Sequence, residues 1–208
     1  MKNIIILLSL LFVITGCAGL NPNPGERTAD NSWTYGNYER AHAILRPCAE
    51  RGEPWAQLRL GVAYQFGNGV ETNINEAVKW YTKAALQEKD GLWANGYIVG
   101  AFGKAGYFSQ NIDALLAQHY LATIYLSHND IPPDLVKAYL LESNVSKESN
   151  GEWLYFYALP NGQPMGTSAE DISNTLAEIE KKMSPAQKME AQEKLSTWSI
   201  KKILQPIK

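Results

Sequence analysis

The sequence predicts an all-α protein, an α/α helical-repeat solenoid closed by C-terminal capping helices. A stretch beginning at Ala56 is repeated 61 residues later. Each copy has apolar residues at helical spacing on both sides of a turn, and two helix-forming segments with capping signals end the chain. A helix pair cannot bury its apolar face alone, so such units stack and the last one needs a polar cap.

The internal repeat keeps small residues at small positions and aromatic residues at aromatic positions. At the offset of 61, six positions are identical: Ala56/Ala117, Gln57/Gln118, Leu60/Leu121, Tyr64/Tyr125, Asn68/Asn129 and Ala77/Ala138. At an offset of 36, Asn37, Ala41 and Ala49 fall on Asn73, Ala77 and Ala85. Cys48 falls on Ala84 at this second offset, so Cys48 is expected to be a buried, small packing residue.

Local signals divide the first copy into two helices. Pro54 is a good first helical residue, and the Gly67–Gly69 turn ends the helix that it begins. Asn73, with Glu76 three residues on, resembles a capping box for the second helix. Similar signals at Ser168 and Ser184 start the two C-terminal helices, the second of which is expected to reach Lys202.

These residues carry a family resemblance. The run from Ala56 to Val70, followed by the run from Asn75 to Ala85, resembles a Sel1-like repeat, a variant of the tetratricopeptide repeat. Arg46–Gly52 resembles the second helix of a leading, incomplete repeat, and Ala117–Ser143 resembles a second copy. That copy departs from the pattern at four positions, Ala122, His128, Asp130 and Leu141.

The N-terminus resembles that of a bacterial lipoprotein. Lys2 precedes an apolar run, Ile4–Ile14, that is short for a membrane span and typical of a signal segment. Ile14-Thr15-Gly16-Cys17 resembles a lipobox, which implies acylation of Cys17 with diacylglycerol and palmitate-type chains. Ala18 lacks the aspartate of the inner-membrane retention signal, so the periplasmic face of the outer membrane is the expected location. The alternative is an ordinary cleaved signal.

The predicted organisation has four parts. Residues 1–16 are the signal peptide, and 17–36 are the lipid anchor and a flexible tether rich in Pro, Gly and Asn. Residues 37–146 are the repeats, with a degenerate segment at 90–114 read as a decayed repeat or an insertion. Residues 147–208 hold an aromatic run, Trp153–Pro160, and the capping helices. The aromatic run fits a buried helix turn, an edge strand or an exposed patch, with core filling preferred.

Composition and motifs exclude several function classes. A net charge of −2 without a basic patch argues against nucleic acid. The chain lacks a phosphate-binding loop, a G-x-S-x-G elbow and an H-E-x-x-H helix, and its three histidines (His42, His119, His128) lack metal-ligand spacing. We therefore expect no catalysis, metal, cofactor or small-molecule substrate. With Cys17 carrying lipid, Cys48 is expected to have no partner within the chain.

Recognition of another protein remains as the expected role. In the geometry that the resemblance implies, the first helix of each pair lines a concave groove. The groove is expected to present Trp55, Leu58, Val62 and Gln65 from the first copy and Leu116, His119, Thr123 and Leu126 from the second. The alternative is that several of these side chains pack against the middle segment or the C-terminal helices.

Three hypotheses follow for the biological role. The first is a membrane-anchored periplasmic adaptor that binds an unidentified protein. A sharper version is an immunity protein that neutralises a secreted antibacterial effector, since some Sel1-like lipoproteins do so. The third is an accessory factor for envelope or peptidoglycan enzymes. Gene neighbourhood separates the last two, because an effector gene favours immunity and a cell-wall enzyme gene favours envelope work.

Overall fold

A computed structural model describes residues 24–87, 98–99, 105–106, 112–158 and 164–204. The helices are α1 (Pro24–Thr34), α2 (Tyr38–Glu50), α3 (Pro54–Phe66), α4 (Ile74–Ala85), α5 (Ile112–Ser127), α6 (Leu135–Ser149), α7 (Ala169–Lys182), α8 (Pro185–Ser196) and α9 (Ile200–Ile203). Four short strands accompany them, β1 (Ile98–Val99), β2 (Ala105–Gly106), β3 (Leu154–Ala158) and β4 (Pro164–Thr167). The predicted helical-repeat solenoid is confirmed.

Three helix pairs stack in chain order. Helices α1 and α2 pack together and lead into α3 and α4, and α5 then packs against both α3 and α4 before pairing with α6. Helix α7 packs on α6 and α5, and α8 packs on α6, which closes the end of the array. Most of the buried apolar side chains, from Ala29 to Leu204, form one continuous core.

The two repeats close their turns with the same hydrogen bond. The backbone N–H of Asn73 donates to the carbonyl of Tyr64 at 2.8 Å, and that of Asp134 donates to the carbonyl of Tyr125 at 2.9 Å. Both donors are also N-caps, whose side chains accept a bond from the backbone N–H three residues on. The offset of 61 therefore superimposes equivalent structural positions.

The turns themselves differ in backbone conformation. Gly67 ends α3 in the left-handed region at φ +73°, a conformation that costs glycine little. The equivalent residue is His128, and among the non-glycine residues that the structure describes, only Asn150 has a positive φ. The second turn has a further local hydrogen bond, in which the N–H of Asp130 donates to Nδ1 of His128 at 3.2 Å.

The predicted tether is wrong from residue 24 onward. Residues 24–34 form α1, and Ala29 and Trp33 are buried in the main core. The leading repeat, expected to be incomplete, is therefore a full helix pair. The tether prediction followed the abundance of Pro, Gly and Asn, but Pro24 stands in the first turn of a helix, where proline is well tolerated. The rest of the predicted tether, up to residue 23, lies outside the described residues.

Other predicted boundaries shift by a few residues. Helix α5 begins at Ile112, inside the segment predicted as degenerate, and α6 runs past residue 146 to Ser149. Because α5 packs directly on α3 and α4, the two copies are neighbours, which favours the insertion reading of the segment between them. Its described part is a short antiparallel pairing of β1 with β2.

The C-terminal region combines a hairpin with the predicted caps. Strands β3 and β4 pair antiparallel, so the aromatic run adopts the strand alternative, with Leu154 buried and Trp153 about half exposed. The capping boxes at Ser168 and Ser184 are confirmed. The last predicted helix ends early, because α8 stops at Ser196 and α9 is a separate turn.

Candidate interaction site

The predicted groove residues lie in the protein interior. Five of the eight are buried apolar residues, with no more than 6% of their surface exposed: Trp55, Leu58, Val62, Leu116 and Leu126. His119 is buried as well, while Gln65 and Thr123 are partly exposed. Because a side chain in the core cannot contact a partner, the groove prediction is wrong for the buried positions.

The composition of the two central helices explains the error. Every residue of α3 from Pro54 to Ala63 is buried, and so is every residue of α5 from Ala114 to Ala122. A helix that is apolar all round is buried all round. The groove prediction assumed, from the repeat geometry, that the first helix of each pair has one buried face and one exposed face. The run Trp55–Ala63, however, has polar side chains only at Gln57 and Arg59.

The two partly exposed positions make hydrogen bonds within the repeats, Gln65 to a neighbouring helix and Thr123 within its own helix. Gln65 accepts a hydrogen bond from the hydroxyl of Tyr81 at 2.7 Å, and Thr123 donates to the carbonyl of Tyr120 at 2.8 Å. Leu126 lies in a second core cluster that includes Ile179 of α7. The alternative that some of these residues pack against the C-terminal helices is therefore confirmed for Leu126.

Arg59 forms a buried charge cluster that sequence reasoning missed. Its guanidinium binds Asp30 of α1 through two nitrogens, with Nη2 donating to Oδ2 at 2.8 Å. Nη1 donates to Asp113 of α5 at 3.4 Å and to the backbone carbonyl of Trp55 at 3.1 Å. Arg59 is 1% exposed, while the two aspartate side chains retain 17% and 21% exposure. The cluster therefore joins the first helices of three successive pairs.

Burial and the charge of Arg59 act in opposite directions on the Asp113 carboxyl in this cluster. Burial raises the pKa of the Asp113 carboxyl, and the neighbouring Asp30 charge raises it further, while the Arg59 guanidinium opposes both effects. A buried arginine needs such partners because an unpaired buried charge is costly. A single arginine in an otherwise apolar helix was the available sequence signal for this cluster.

A second buried pair involves His119 and Glu142. Nδ1 of His119 lies 2.8 and 3.1 Å from the two carboxylate oxygens of Glu142. The Glu142 side chain has no exposure, and burial raises the pKa of its carboxyl against the opposing effect of the His119 bond. His119 was assigned to the groove, and Glu142 was not singled out, although the offset of 61 places it on Tyr81 in an apolar stripe.

The exposed apolar residues lie mainly at chain turns. The largest exposed fractions among described apolar side chains belong to Tyr35 (84%), Met189 (72%), Trp153 (56%) and Phe66 (55%). Tyr35 precedes α2 and Phe66 ends α3. Their turns touch, since a Cβ built on Gly69 would lie 3.2 Å from the backbone carbonyl carbon of Tyr38. We call these two adjacent turns, residues 35–38 and 66–70, the turn edge.

The predictions made for the two cysteines have different outcomes. Cys17 lies outside the described residues. Cys48 is fully buried, as predicted, and so is the repeat-equivalent Ala84. Cys48 is disulfide-bonded, so the expectation that it has no partner within the chain is wrong. The expectation depended entirely on assigning Cys17 to lipid.

The described part of the chain has neither a metal-binding cluster nor a membrane-spanning helix. There, no group of three or more His, Cys, Asp or Glu side chains is placed to hold a metal ion. In the same residues, no helix combines the length and the apolar character that crossing a membrane requires.

Comparison with protein families identifies the repeats. The Sel1 repeat model matches at residues 56–89 and 115–141. These matches coincide with α3–α4 and with α5 and about the first half of α6. Two segments of the chain are therefore similar to the Sel1 repeat, and repeats of this kind are generally protein–protein interaction modules that are typically not catalytic. No curated protein sequence matches the chain.

Proposed function

We propose that this chain is a non-catalytic protein–protein interaction module, held by a lipid on Cys17 at the periplasmic face of the bacterial outer membrane. The observation that carries the proposal is the stacking of two Sel1 repeats into one array with a shared core. An array of this kind offers a rigid surface on which recognition residues keep fixed positions.

The lipid anchor is inferred from the sequence at the N-terminus, and it requires that Cys17 carry lipid in place of a disulfide to Cys48, the other cysteine of the chain. Ile14-Thr15-Gly16-Cys17 follows a short apolar run, and the cysteine supplies the thiol that would carry a diacylglycerol. Several acyl chains on one residue give stable anchoring, because each buried methylene contributes about 0.8 kcal/mol. Ala18 in place of an aspartate favours the outer membrane.

The turn edge is the surface we assign to partner binding. Tyr35 and Phe66 expose most of their side chains there, and the adjoining turns are fixed by the cores of α1–α2 and α3–α4. Aromatic residues are enriched at protein interfaces, where they bury a large area at little conformational cost. The partner is accordingly expected to be a protein with an apolar surface that accepts these rings.

The experiment is capture from detergent-solubilised membranes with the full-length, C-terminally tagged protein. Proteins retained by wild type are identified by mass spectrometry and compared with those retained by Y35S/F66S. M189S is the matched control, because Met189 is equally exposed but lies on α8. The proposal predicts a partner that is lost from Y35S/F66S and retained by M189S, with unchanged helicity in both variants.

The identity of that partner selects between the biological roles. A secreted antibacterial effector would indicate an immunity protein, and a cell-wall hydrolase or synthase would indicate an accessory factor for envelope enzymes. Equal capture by wild type and both variants would remove the turn edge from the proposal. Absence of any specific partner from membranes would overturn the interaction role.

A further inference from the structure

The aromatic run of the sequence forms one strand of a two-stranded sheet. β3 (Leu154–Ala158) pairs antiparallel with β4 (Pro164–Thr167), and among the described residues no third strand joins them. Each strand therefore has a second edge, which no described strand covers. The backbone N–H and C=O groups along such an edge are a template for pairing with another extended chain.

The hairpin is fixed to the second repeat at its base. Leu154 and Thr167 lie opposite each other in the register, and both are buried. Met165 is partly buried against the main core, and α5 contacts both strands. The two edges of the hairpin therefore have a defined orientation relative to the helices.

The two edges differ in their capacity to pair with a further strand. β4 has four residues and begins with Pro164, which has no N–H to donate, and Gly166 has no side chain to pack against a neighbour. β3 has five residues, each with an N–H and a side chain. The edge of β3 is therefore the better template.

The sequence around β3 lacks the charges that usually protect an edge strand. Natural proteins discourage edge pairing with lysine, proline, bulges or very short strands. The run Trp153–Leu159 contains no charged residue, no proline and no glycine, and Trp153 is 56% exposed. β3 does have a bulge, between Tyr155 and Tyr157. An uncharged segment of this length, rich in aromatic residues, is typical of chains that associate strand to strand.

A second copy of this chain is complementary to the edge of β3. Antiparallel pairing centred on Phe156 places Leu154 opposite Ala158 of the second copy, and Tyr155 opposite Tyr157. Like charges do not meet in this register, because the strand has none, and aromatic residues that face each other across strands stabilise a sheet. A different partner would be selected by complementary charges, and β3 has no charge that could select it.

We propose that this chain forms a two-fold symmetric homodimer in which β3 pairs antiparallel with β3 of a second copy. The pairing joins two hairpins into one four-stranded sheet, and two-fold symmetry is the commonest symmetry of protein dimers. The dimer presents two turn edges on one assembly, so a partner with two matching surfaces binds it with increased avidity. This last consequence rests on the partner-binding role proposed above, whereas the dimer itself does not.

The test is the molar mass of the full-length protein in density-matched detergent micelles, measured by sedimentation equilibrium over a range of protein concentrations. We expect wild type to reach the mass of two chains. Trp153→Lys should have the mass of one chain, because a lysine beside an edge strand discourages pairing. Met189→Lys is the matched control, since Met189 is also exposed but lies on α8, and it should remain a dimer. Circular dichroism checks that each variant keeps its helicity.

An exchange of charges identifies the strand that pairs with β3. Y155K/Y157K and Y155E/Y157E each place like charges opposite one another in the proposed register, so each variant alone should have the mass of one chain. Mixing the two variants should restore the mass of two chains, because lysines of one copy then lie opposite carboxylates of the other. A dimer formed through another surface would not respond in this way.

Amide hydrogen exchange of wild type keeps the proposal testable if the charge variants fail to fold. Protection of residues 154–158 should rise with protein concentration, and constant protection would overturn the proposal. So would a wild-type mass of one chain at every concentration, or a dimer that Trp153→Lys and the folded charge variants leave intact. Y35S/F66S should remain a dimer, so that failure of the turn edge and failure of the β3 pairing are distinguishable.

Discussion

The ring of Tyr81 lies directly over Gly61. A Cβ built on Gly61 would approach Cγ of Tyr81 at 2.9 Å and would come closer still to two other ring carbons, so the backbone of α3 and the ring of α4 touch without room for a methyl group. At the equivalent positions, the second repeat has Ala122 and Glu142. The departure from glycine at Ala122 thus accompanies the loss of the tyrosine ring.

Gly61→Ala should destabilise the fold by about 1–3 kcal/mol, the usual cost of overpacking a core. The ring of Tyr81 is fully buried and its hydroxyl is bonded to Gln65, so it has little room to move. Urea unfolding followed by circular dichroism measures the change.

Ala122→Gly is the matched control for that substitution. It removes a methyl group from the equivalent helix position and should cost only about 1 kcal/mol, mainly through backbone entropy. If Gly61→Ala proves as stable as wild type, the close contact between α3 and Tyr81 does not exist in solution.

The sequence allowed the fold to be predicted because the repeat signal is local and redundant. Pro54, the Gly67 turn and the Asn73 cap each mark a helix boundary independently, and the offset of 61 applies the same boundaries to the second copy. Helix α1 was missed because its composition resembles a linker, although its apolar residues Ala29 and Trp33 pack in the core beside the next helix and Asp30 pairs with Arg59.

The candidate site was harder to predict than the fold. The face that a helix presents to solvent depends on which other elements pack against it. Other helices pack around α3 and α5, so neither helix has an exposed face over most of its length. No sequence pattern indicates that Tyr35 and Phe66 are exposed, because isolated aromatic residues are buried as often as they are exposed. The charged residues next to buried leucines, Arg59 and Glu142, were the informative signals, because each requires a specific partner in the core.

Leu58→Glu should prevent folding instead of abolishing binding by a folded protein. Leu58 is fully buried within the main core, and an unpaired carboxylate at such a position costs several kcal/mol. The readout is the fraction of soluble, helical protein together with its melting temperature. Phe66→Glu, at the exposed end of the same helix, should leave both nearly unchanged. If the Leu58→Glu protein folds well, Leu58 lies at the surface of the protein and not in its core.

Arg59→Met should cost about 3 kcal/mol at neutral pH, because it leaves the carboxylates of Asp30 and Asp113 without their cation. We expect the loss to shrink as the pH falls, because burial raises the pKa of the Asp113 carboxyl and this carboxyl takes up a proton at a higher pH than an ordinary aspartate. Urea titrations at several pH values measure this trend. Lys194→Met breaks an exposed pair with Glu190 and should cost less than about 1 kcal/mol at any pH. Equal losses in the two variants would show that the Arg59 cluster is not a buried bridge.

The chemical state of Cys48 tests the lipid anchor, because the chain has only two cysteines. A thioether to lipid at Cys17 and a disulfide between Cys17 and Cys48 exclude each other. The lipid proposal therefore predicts that protein extracted from membranes has a mass increased by acyl chains. It also predicts that Cys48 is a free thiol. Because this side chain is fully buried, it should react with a polar alkylating reagent only after unfolding, and no reductant should be needed.

Cys17→Ser is the matched variant for this measurement. It should lose both the acyl mass and the membrane association, while Cys48 stays buried in the helix-packing position that Ala84 occupies in the next pair. If instead wild-type Cys48 reacts only after reduction and the mass shows no acyl chains, the disulfide is the native state. The chain would then be a secreted protein closed by one cross-link near its N-terminus, and the anchor would have to be abandoned.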